Sequence, residues 1–250
     1  MLQAEHVTVR YGEKTAAEDV SFRLEEGMWL MLAGPNGAGK TTLLKAAAGA
    51  VPYAGRILWE GKDLRTLKTR EAARNIGVLS QQHGAAYAFT AEEAVELGRY
   101  AHRKGLLGGD PEGQARVEAA LEMTGLTALR RKPLTTLSGG EMQRVFLAQV
   151  FAQEPRALLL DEPANHLDLR YQEQIFGLIR EWVQAPGRAV ISVVHDLTLA
   201  RKYGTHALLM SEGRCTAQGE IREAMTEENL RQAYGMDVYG WMREALALWT

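Results

Sequence analysis

The sequence has a single cysteine, Cys215, no apolar run near the ~18 residues that a membrane span needs, and a net charge of only −2. One cysteine excludes an internal disulfide and is typical of a reducing compartment. The balanced charge disfavours a general attraction to nucleic acid or to an anionic membrane. The first six residues do not resemble a signal peptide. These absences favour a chain that is soluble by itself, and 250 residues are enough to bury a full core.

The strongest motif in the sequence is a glycine-rich segment. Residues 34–42 read GPNGAGKTT and lie between an apolar run, 28–33, and a run of helix formers, 43–48. This order predicts a strand, a loop and a helix, and it meets the pattern G-x-x-x-x-G-K-[ST] in full. Glycines allow positive φ and bring backbone N–H groups against phosphate oxygens, which the helix dipole also favours. The segment predicts a P-loop that binds a nucleoside triphosphate; a merely glycine-rich turn is the alternative.

Four side chains are candidates for the chemistry of such a site. Lys40 can reach the β- and γ-phosphates, and the Thr41 hydroxyl is placed to ligate Mg²⁺. Further along the chain, an apolar run ends in Asp161 and Glu162. In a parallel sheet that end lies beside the P-loop, so Asp161 can hold Mg²⁺ and Glu162 can act on the attacking water. Solvated acids at a strand end are the alternative.

The hydrophobic pattern predicts the fold class. Apolar and polar residues alternate over 7–10 and 20–24, which indicates half-buried, antiparallel strands ahead of the P-loop. Later apolar runs are continuous and alternate with helical patterns, which indicates a parallel sheet covered on both faces. We therefore expect an α/β protein: a P-loop NTPase (RecA-like) core with an N-terminal antiparallel β subdomain and an inserted α-helical lobe.

The expected division of the single domain, 1–250, follows changes in this pattern. Residues 84–153 carry helical signals, among them the capping box Thr90-x-x-Glu93 and a helix opening with Asp110 and Pro111. This stretch is the expected helical lobe. The nucleotide-binding core is expected in 1–83 and 154–218, followed by a short extension, 219–250, whose end fits either a hairpin or a helix.

A second anion site is predicted at residues 137–141, which read LSGGE. A serine cap followed by two glycines at a helix start offers N–H donors, but it has no lysine of its own. With the P-loop before it and Asp161-Glu162 after it, this run resembles the signature of ABC ATPases, which kinases, GTPases and helicases lack. An ordinary N-capped helix is the alternative. Glu141, where many members have glutamine, and Ala164, in place of a small hydroxyl residue, depart from the commoner pattern, and we expect neither to abolish activity.

The resemblance covers residues 1–235 and implies further roles. Tyr11 would stack on adenine, His195 would contact the γ-phosphate, and Gln81, for which Gln82 is the rival, would sense Mg²⁺ and the attacking water. Asp168 would be the D-loop aspartate, the N-cap of the helix after it, or both. The implied catalytic residues are Glu162, His195, Gln81 and Lys40; the nucleotide contacts are Tyr11, Gly34, Asn36, Gly37, Gly39, Lys40, Thr41, Thr42, Ser138, Gly139, Gly140 and Asp168; and the residues around Mg²⁺ are Thr41, Gln81 and Asp161.

The resemblance also implies partners. ATP with Mg²⁺ would join two copies head to tail, with Ser138 and Gly140 of one copy capping the γ-phosphate that Lys40 of the other holds. The runs 138–144, 161–172 and 195–200 are similar to the importer ATPases for iron–siderophore complexes, haem and cobalamin. This implies a peripheral ATPase on the cytoplasmic face of a membrane permease, an external binding protein and no nucleic acid.

Two other functions stay open on the sequence alone. A soluble, non-transport ABC ATPase, for instance in iron–sulfur cluster assembly, would carry the same motifs. An inactive nucleotide-binding module would require the loss of Lys40, Glu162 or His195, and all three are present.

Overall fold

The computed structural model of the chain describes residues 1–80, 89–103 and 109–249. Its contacts divide into two units, Met1–Arg65 with Ile191–Thr250, and Thr66–Val190. The strands are β1 (Leu2–Tyr11), β2 (Lys14–Leu24), β3 (Trp29–Ala33), β4 (Ala54–Trp59), β5 (Lys62–Asp63), β6 (Ile76–Leu79), β7 (Ala157–Asp161), β8 (Ala189–Val193), β9 (His206–Ser211) and β10 (Arg214–Glu220). The helices are α1 (Lys40–Ala47), α2 (Thr69–Asn75), α3 (Ala91–Glu96), α4 (Gly113–Met123), α5 (Gly139–Ala152), α6 (Leu169–Val183), α7 (Leu197–Tyr203), α8 (Ile221–Ala224), α9 (Glu227–Tyr234) and α10 (Val238–Ala247).

The first unit opens with an antiparallel sheet in the order β2-β1-β4-β5. The predicted antiparallel strands ahead of the P-loop are confirmed, but β1 starts earlier than its alternation indicated. Leu2 and Ala4 are buried at even positions and Val7 at an odd one. The change follows from a register shift between Ala4 and Val7, where His6 has a φ of 52°. A bulge of this kind moves the buried face by one residue and hides the period of two.

The same unit carries the strand that leads into the P-loop. All five residues of β3 are buried, and β3 pairs in parallel with β9, from Leu30 with His206 to Ala33 with Leu209. β10 pairs with β9 in the antiparallel sense. Just past β8, the N–H of Val194 donates to the carbonyl of Leu32 over 3.1 Å. The continuous apolar runs therefore form parallel neighbours, as predicted.

In the second unit, β6 and β7 pair in parallel over Ile76–Leu79 and Ala157–Leu160. Helices α3, α4 and α5 pack against one another. Helix α6 buries one face of large side chains, Ile175, Phe176, Ile179 and Trp182.

A buried arginine ties this unit together. Arg99, whose side chain is 5% exposed, makes a fork with Asp110 at 2.7 and 3.2 Å and donates to the Ala152 carbonyl over 2.8 Å. The pKa of Asp110 lies below its ordinary value, chiefly because it accepts hydrogen bonds from this guanidinium. The predicted helix is present, but it is assigned from Gly113, after a turn at 111–112. Asp110 heads that turn, because its carbonyl accepts the Gly113 N–H over 3.0 Å and its carboxylate accepts a backbone hydrogen bond from Glu112.

The C-terminal end, for which the sequence left a hairpin and a helix open, is the helix α10. Two elements were not predicted, for local reasons. Strand β10 was not predicted, because it is half exposed and its sequence has no alternation of apolar and polar residues. Helix α9 was not predicted, because it is polar and buries only Leu230 and Ala233. No helix in the described ranges is both long and apolar enough to cross a bilayer.

Candidate nucleotide-binding site

The P-loop has the backbone that its glycines predict. Gly34, Gly37 and Gly39 have φ of 143°, 81° and 94°, in the region that other residues rarely adopt. Two of these glycines also lie against other backbone. A Cβ atom on Gly34 would stand 2.0 Å from the carbonyl oxygen of Met210, and one on Gly39 would stand 2.0 Å from that of Ala16. Neither position can accept a side chain without moving a strand.

Lys40 lies folded over this loop at the start of α1. Its Nζ donates to the carbonyls of Gly34, at 2.7 Å, and Pro35, at 2.9 Å, and the residue is 5% exposed. No side chain caps α1, because its N-cap is Gly39. The ammonium and the first N–H groups of the helix are thus gathered at one loop, which is the arrangement that binds phosphate. Thr41 and Thr42 follow in the first turn, half buried.

Two more predicted site residues belong to the same unit. Tyr11 ends β1 and is 48% exposed, so part of its side chain is accessible to a stacking partner. His195 is exposed and directly follows Val194, which bonds to Leu32 on the strand that feeds the P-loop. His195 therefore stands one residue past the hydrogen bond that joins this strand end to β3.

In the second unit, Asp161 and Glu162 stand at the end of β7. Asp161 is its last residue and is 5% exposed. Glu162 turns out of the strand with a φ of 53°. The side-chain amide of Asn165 donates to Oε2 of Glu162. No role for Asn165 was predicted from the sequence; its only signal was its place three residues after Glu162 in a turn.

The signature segment forms a capped helix start. Ser138 Oγ accepts the N–H of Glu141 at 3.3 Å, while Oε2 of Glu141 accepts the Ser138 N–H and hydroxyl, each at 2.8 Å. These bonds hold the pKa of Glu141 below its ordinary value. Gly140 lies against α6, because a Cβ atom there would come within 2.5 Å of the Tyr171 ring. The predicted role of Ser138 as the N-cap is confirmed, and Glu141 completes a capping box.

The second unit brings its predicted residues close together. Gln143 on α5 donates to the Pro163 carbonyl over 2.7 Å, which joins the signature helix to the loop after Glu162. Asp168 caps α6 by accepting the Tyr171 N–H at 3.0 Å, so its structural role is confirmed. The signature, Glu162 and Asp168 are therefore neighbours around the start of α6.

Neither the predicted glutamine nor a cluster of three metal-binding side chains is found in the described residues. Gln81 and its rival Gln82 fall outside the described residues. Within the described part of the chain, no three His, Cys, Asp or Glu side chains form a group that could hold a metal ion. A Mg²⁺ site would have to take its remaining ligands from elsewhere, and Mg²⁺ commonly uses one or two protein oxygens with phosphate and water.

Comparison with known families decides the identity. The family described as ABC transporter matches residues 17–165, more than half of the chain. The chain belongs to the ABC transporter family. Proteins of this family that bind ATP are ATPases coupled to transport, so the expected family, fold and enzyme class are confirmed.

Three relatives of this ABC protein match it over nearly all of its length, and two of them have names that state a cargo. An uncharacterized ABC transporter ATP-binding protein, YvrA of Bacillus subtilis (strain 168), is 41% identical over 95% of this chain and 54% of YvrA. The ferric enterobactin transport ATP-binding protein FepC of Escherichia coli (strain K12) is 35% identical over 94% of this chain and 87% of FepC. The hemin import ATP-binding protein HmuV of Jannaschia sp. (strain CCS1) is 37% identical over 94% of this chain and 87% of HmuV. The chain thus spans about half of YvrA and most of the other two.

Other similarities agree with these names. A cobalamin import ATP-binding protein, BtuD of Halobacterium salinarum, is 36% identical over 87% of the chain and 54% of BtuD. Among solved structures, the dimer of the ATP-binding cassette MJ0796 in a post-hydrolysis state with ADP and Pi has a TM-score of 0.76 and 27% identity, covering 89% of this chain and 99% of that one. The named relatives favour the transport interpretation over a soluble ABC ATPase.

Proposed function

We propose that this chain is the ATP-hydrolysing subunit of an importer for iron–siderophore complexes, haem or cobalamin. It would sit on the cytoplasmic face of a separate permease that receives cargo from an external binding protein. The support comes from the names of the relatives, which are import or transport ATP-binding proteins for these three kinds of cargo. The ATPase itself carries no cargo-binding surface in this proposal, so the residues discussed below concern ATP alone.

The observation that carries the ATPase role is the position of Lys40. Its ammonium rests on the carbonyls of Gly34 and Pro35, and it can exchange them for phosphate oxygens without leaving the loop. We assign the β- and γ-phosphates to Lys40 and to the backbone of Gly37 and Gly39. Tyr11, with Asn36 and Thr42, completes the nucleotide contacts of this unit, and His195 would meet the γ-phosphate.

The residues proposed for the metal have suitable chemistry. The Thr41 hydroxyl and the buried Asp161 carboxylate offer the oxygen ligands that Mg²⁺ prefers, and Gln81 is the third proposed ligand. When bound, Mg²⁺ neutralises charge that develops on the phosphates. Glu162 is the proposed general base or water-orienting group, and Asn165 orients its carboxylate by donating to Oε2.

The remaining proposal is that two copies act together. Ser138 and Gly139 are exposed at a helix start that has no lysine, with Gly140 buried behind them. Such a site fits a phosphate that another loop already holds. We propose that Ser138, Gly139 and Gly140 of one copy, with its Asp168, face the P-loop of the second copy. The helical stretch 84–153 would then be the lobe that moves with ATP, a division supported by the mutual packing of α3, α4 and α5.

Replacing Glu162 with glutamine tests the catalytic assignment. Glutamine keeps the shape of the side chain but cannot act as a base, so we expect kcat to fall about 100-fold or more while ATP still binds. With hydrolysis blocked, ATP and Mg²⁺ should hold two copies of Glu162→Gln together on size-exclusion chromatography, alone or on the permease. Exposed Glu181 on α6 provides the control, Glu181→Gln, which should hydrolyse ATP normally. Normal turnover by Glu162→Gln would contradict the assignment.

A further inference from the structure

The C-terminal part of the chain contacts the P-loop through one hydrogen bond. The backbone N–H of Gly34 donates to the hydroxyl oxygen of Tyr234, the last residue of α9, over 3.0 Å. The two residues are 200 positions apart in sequence and belong to the same unit. Gly34 is the first glycine of the P-loop and is buried. Tyr234 therefore supplies the acceptor for a backbone donor that water cannot easily reach.

The peptide groups of Gly34 are held on both sides. Its N–H points to Tyr234, and its carbonyl accepts the ammonium of Lys40 at 2.7 Å. Its Cα faces the Met210 carbonyl so closely that only hydrogen fits. Because Lys40 rests on this residue, the orientation of the Gly34 backbone sets where the ammonium starts its approach to a phosphate.

Helix α9 is built to hold the tyrosine in place. Its N-cap, Thr226, accepts the N–H of Asn229, and Leu230 and Ala233 are 1% and 2% exposed. Gly235, with a φ of 69°, ends the helix directly after Tyr234. Burial raises the pKa of Tyr234 above its ordinary value of 10.0, so the hydroxyl is a neutral phenol at physiological pH.

The contact lies at the wall of an open cavity beside the P-loop. The cavity has a volume of about 500 Å³ and is lined by residues 35–38 of the loop and by residues 211–212 and 232–235. Helix α9 and the P-loop thus share a surface, and the Tyr234 hydroxyl bonds directly to the loop backbone from its side of that surface.

We propose that Tyr234 is a positioning residue for the P-loop and that, through it, helix α9 sets the affinity for nucleotide. The proposal rests on the function proposed above for Lys40 and the P-loop. Without the hydroxyl, the buried Gly34 N–H would lack this acceptor, and the loop would rearrange to satisfy it. A loop that must reorder on binding gives up affinity that a fixed loop keeps.

The test is the variant Tyr234→Phe, with Tyr239→Phe as the matched control. Tyr239 lies on the neighbouring helix α10, and its hydroxyl donates to the Met225 carbonyl over 3.0 Å, away from the P-loop. By titration calorimetry with ATP, we expect Kd to rise about 3- to 10-fold for Tyr234→Phe, on the scale of one lost hydrogen bond, and to stay unchanged for Tyr239→Phe. The KM for ATP should rise in parallel, with kcat at saturation unchanged.

Hydrogen exchange at the Gly34 amide gives a second readout, which general destabilisation alone would not single out. In Tyr234→Phe this amide should lose protection, whereas the β3 amides should keep theirs. Unchanged affinity and unchanged Gly34 protection would overturn the proposal, and so would equal losses of affinity in both tyrosine variants.

Lys40→Ala separates this proposal from the function on which it rests. If Lys40→Ala still binds ATP normally, the assignment of the P-loop lysine fails. If Lys40→Ala loses ATP binding and Tyr234→Phe does not weaken it, only the role of Tyr234 fails.

Discussion

Two helices of this chain begin with glycines at a predicted phosphate site, and they begin differently. Helix α1 follows Gly39, has no side-chain cap and carries Lys40 in its first turn. Helix α5 follows Ser138, which forms a closed capping box with Glu141. The first site offers backbone N–H groups that no side chain caps and the positive charge of Lys40, whereas the second already uses its serine and has the negative charge of Glu141 nearby. One is suited to capture a nucleotide, and the other to recognise one that is already held.

Of the changes that distinguish the two helix starts, replacing Ser138 should have the largest effect on ATP hydrolysis. Ser138→Ala removes the hydroxyl proposed to face the γ-phosphate, so we expect kcat to fall about 100-fold with little change in ATP affinity. Thr90→Ala is the matched control, because Thr90 and Glu93 form the same capping box on α3. Both variants should lose about 1 kcal/mol of stability by thermal unfolding. An equal loss of activity in both variants would mean that Ser138 acts only as the N-cap of α5 and has no role at the γ-phosphate.

Alanine substitutions at the two glycines of the second site, Gly139 and Gly140, should differ in their effect on the stability of the fold. A Cβ atom at Gly140 would come within 2.5 Å of the Tyr171 ring, while one at Gly139 meets nothing within 4 Å. We therefore expect Gly140→Ala to lose about 1–3 kcal/mol of unfolding free energy and Gly139→Ala to lose none. Chemical denaturation of the two variants measures the difference. Equal stabilities would mean that Tyr171 moves aside freely.

The smallest expected effect concerns the charge at the second site. The pKa of Glu141 lies below 4.5 because it accepts hydrogen bonds from Ser138. A carboxyl whose pKa is lowered by folding adds stability above its unfolded pKa, and that stability is lost as pH falls through the folded value. Glu141→Gln should therefore lose less thermal stability than the parent chain between about pH 5 and 3. Glu122→Gln, on the exposed face of α4, should follow the parent curve.

How far the sequence predicts the molecule depends on how local each feature is. The P-loop is local: its glycines, Lys40 and the flanking strand and helix are consecutive, and the structure has them as expected. Helix α6 is local too, because its buried residues, from Ile175 to Val183, recur at helical spacing within one continuous segment. The capping box of α5 was not predicted, although it could have been, since Ser138-x-x-Glu141 is the same pattern as Thr90-x-x-Glu93.

Features that depend on distant residues were not predictable. The bond from Gly34 to Tyr234 joins residues 200 positions apart, and no local pattern marks either partner for the other. The fork between Arg99 and Asp110 likewise joins two residues that no local pattern marks as partners. The amide of Asn165 meets Glu162 through a turn whose positive φ the residue types do not require.

We propose that the two helix starts complete one ATP site only when they come from different copies. The direct test places Asn36→Cys on one tagged copy and Ser138→Cys on another, with Cys215→Ser and Glu162→Gln in both, and applies a short bifunctional thiol reagent to the permease complex. We predict a cross-linked pair of the two differently tagged copies that forms with ATP and Mg²⁺ and is absent without nucleotide. No such pair under ATP, or an equal yield with and without ATP, would contradict the claim.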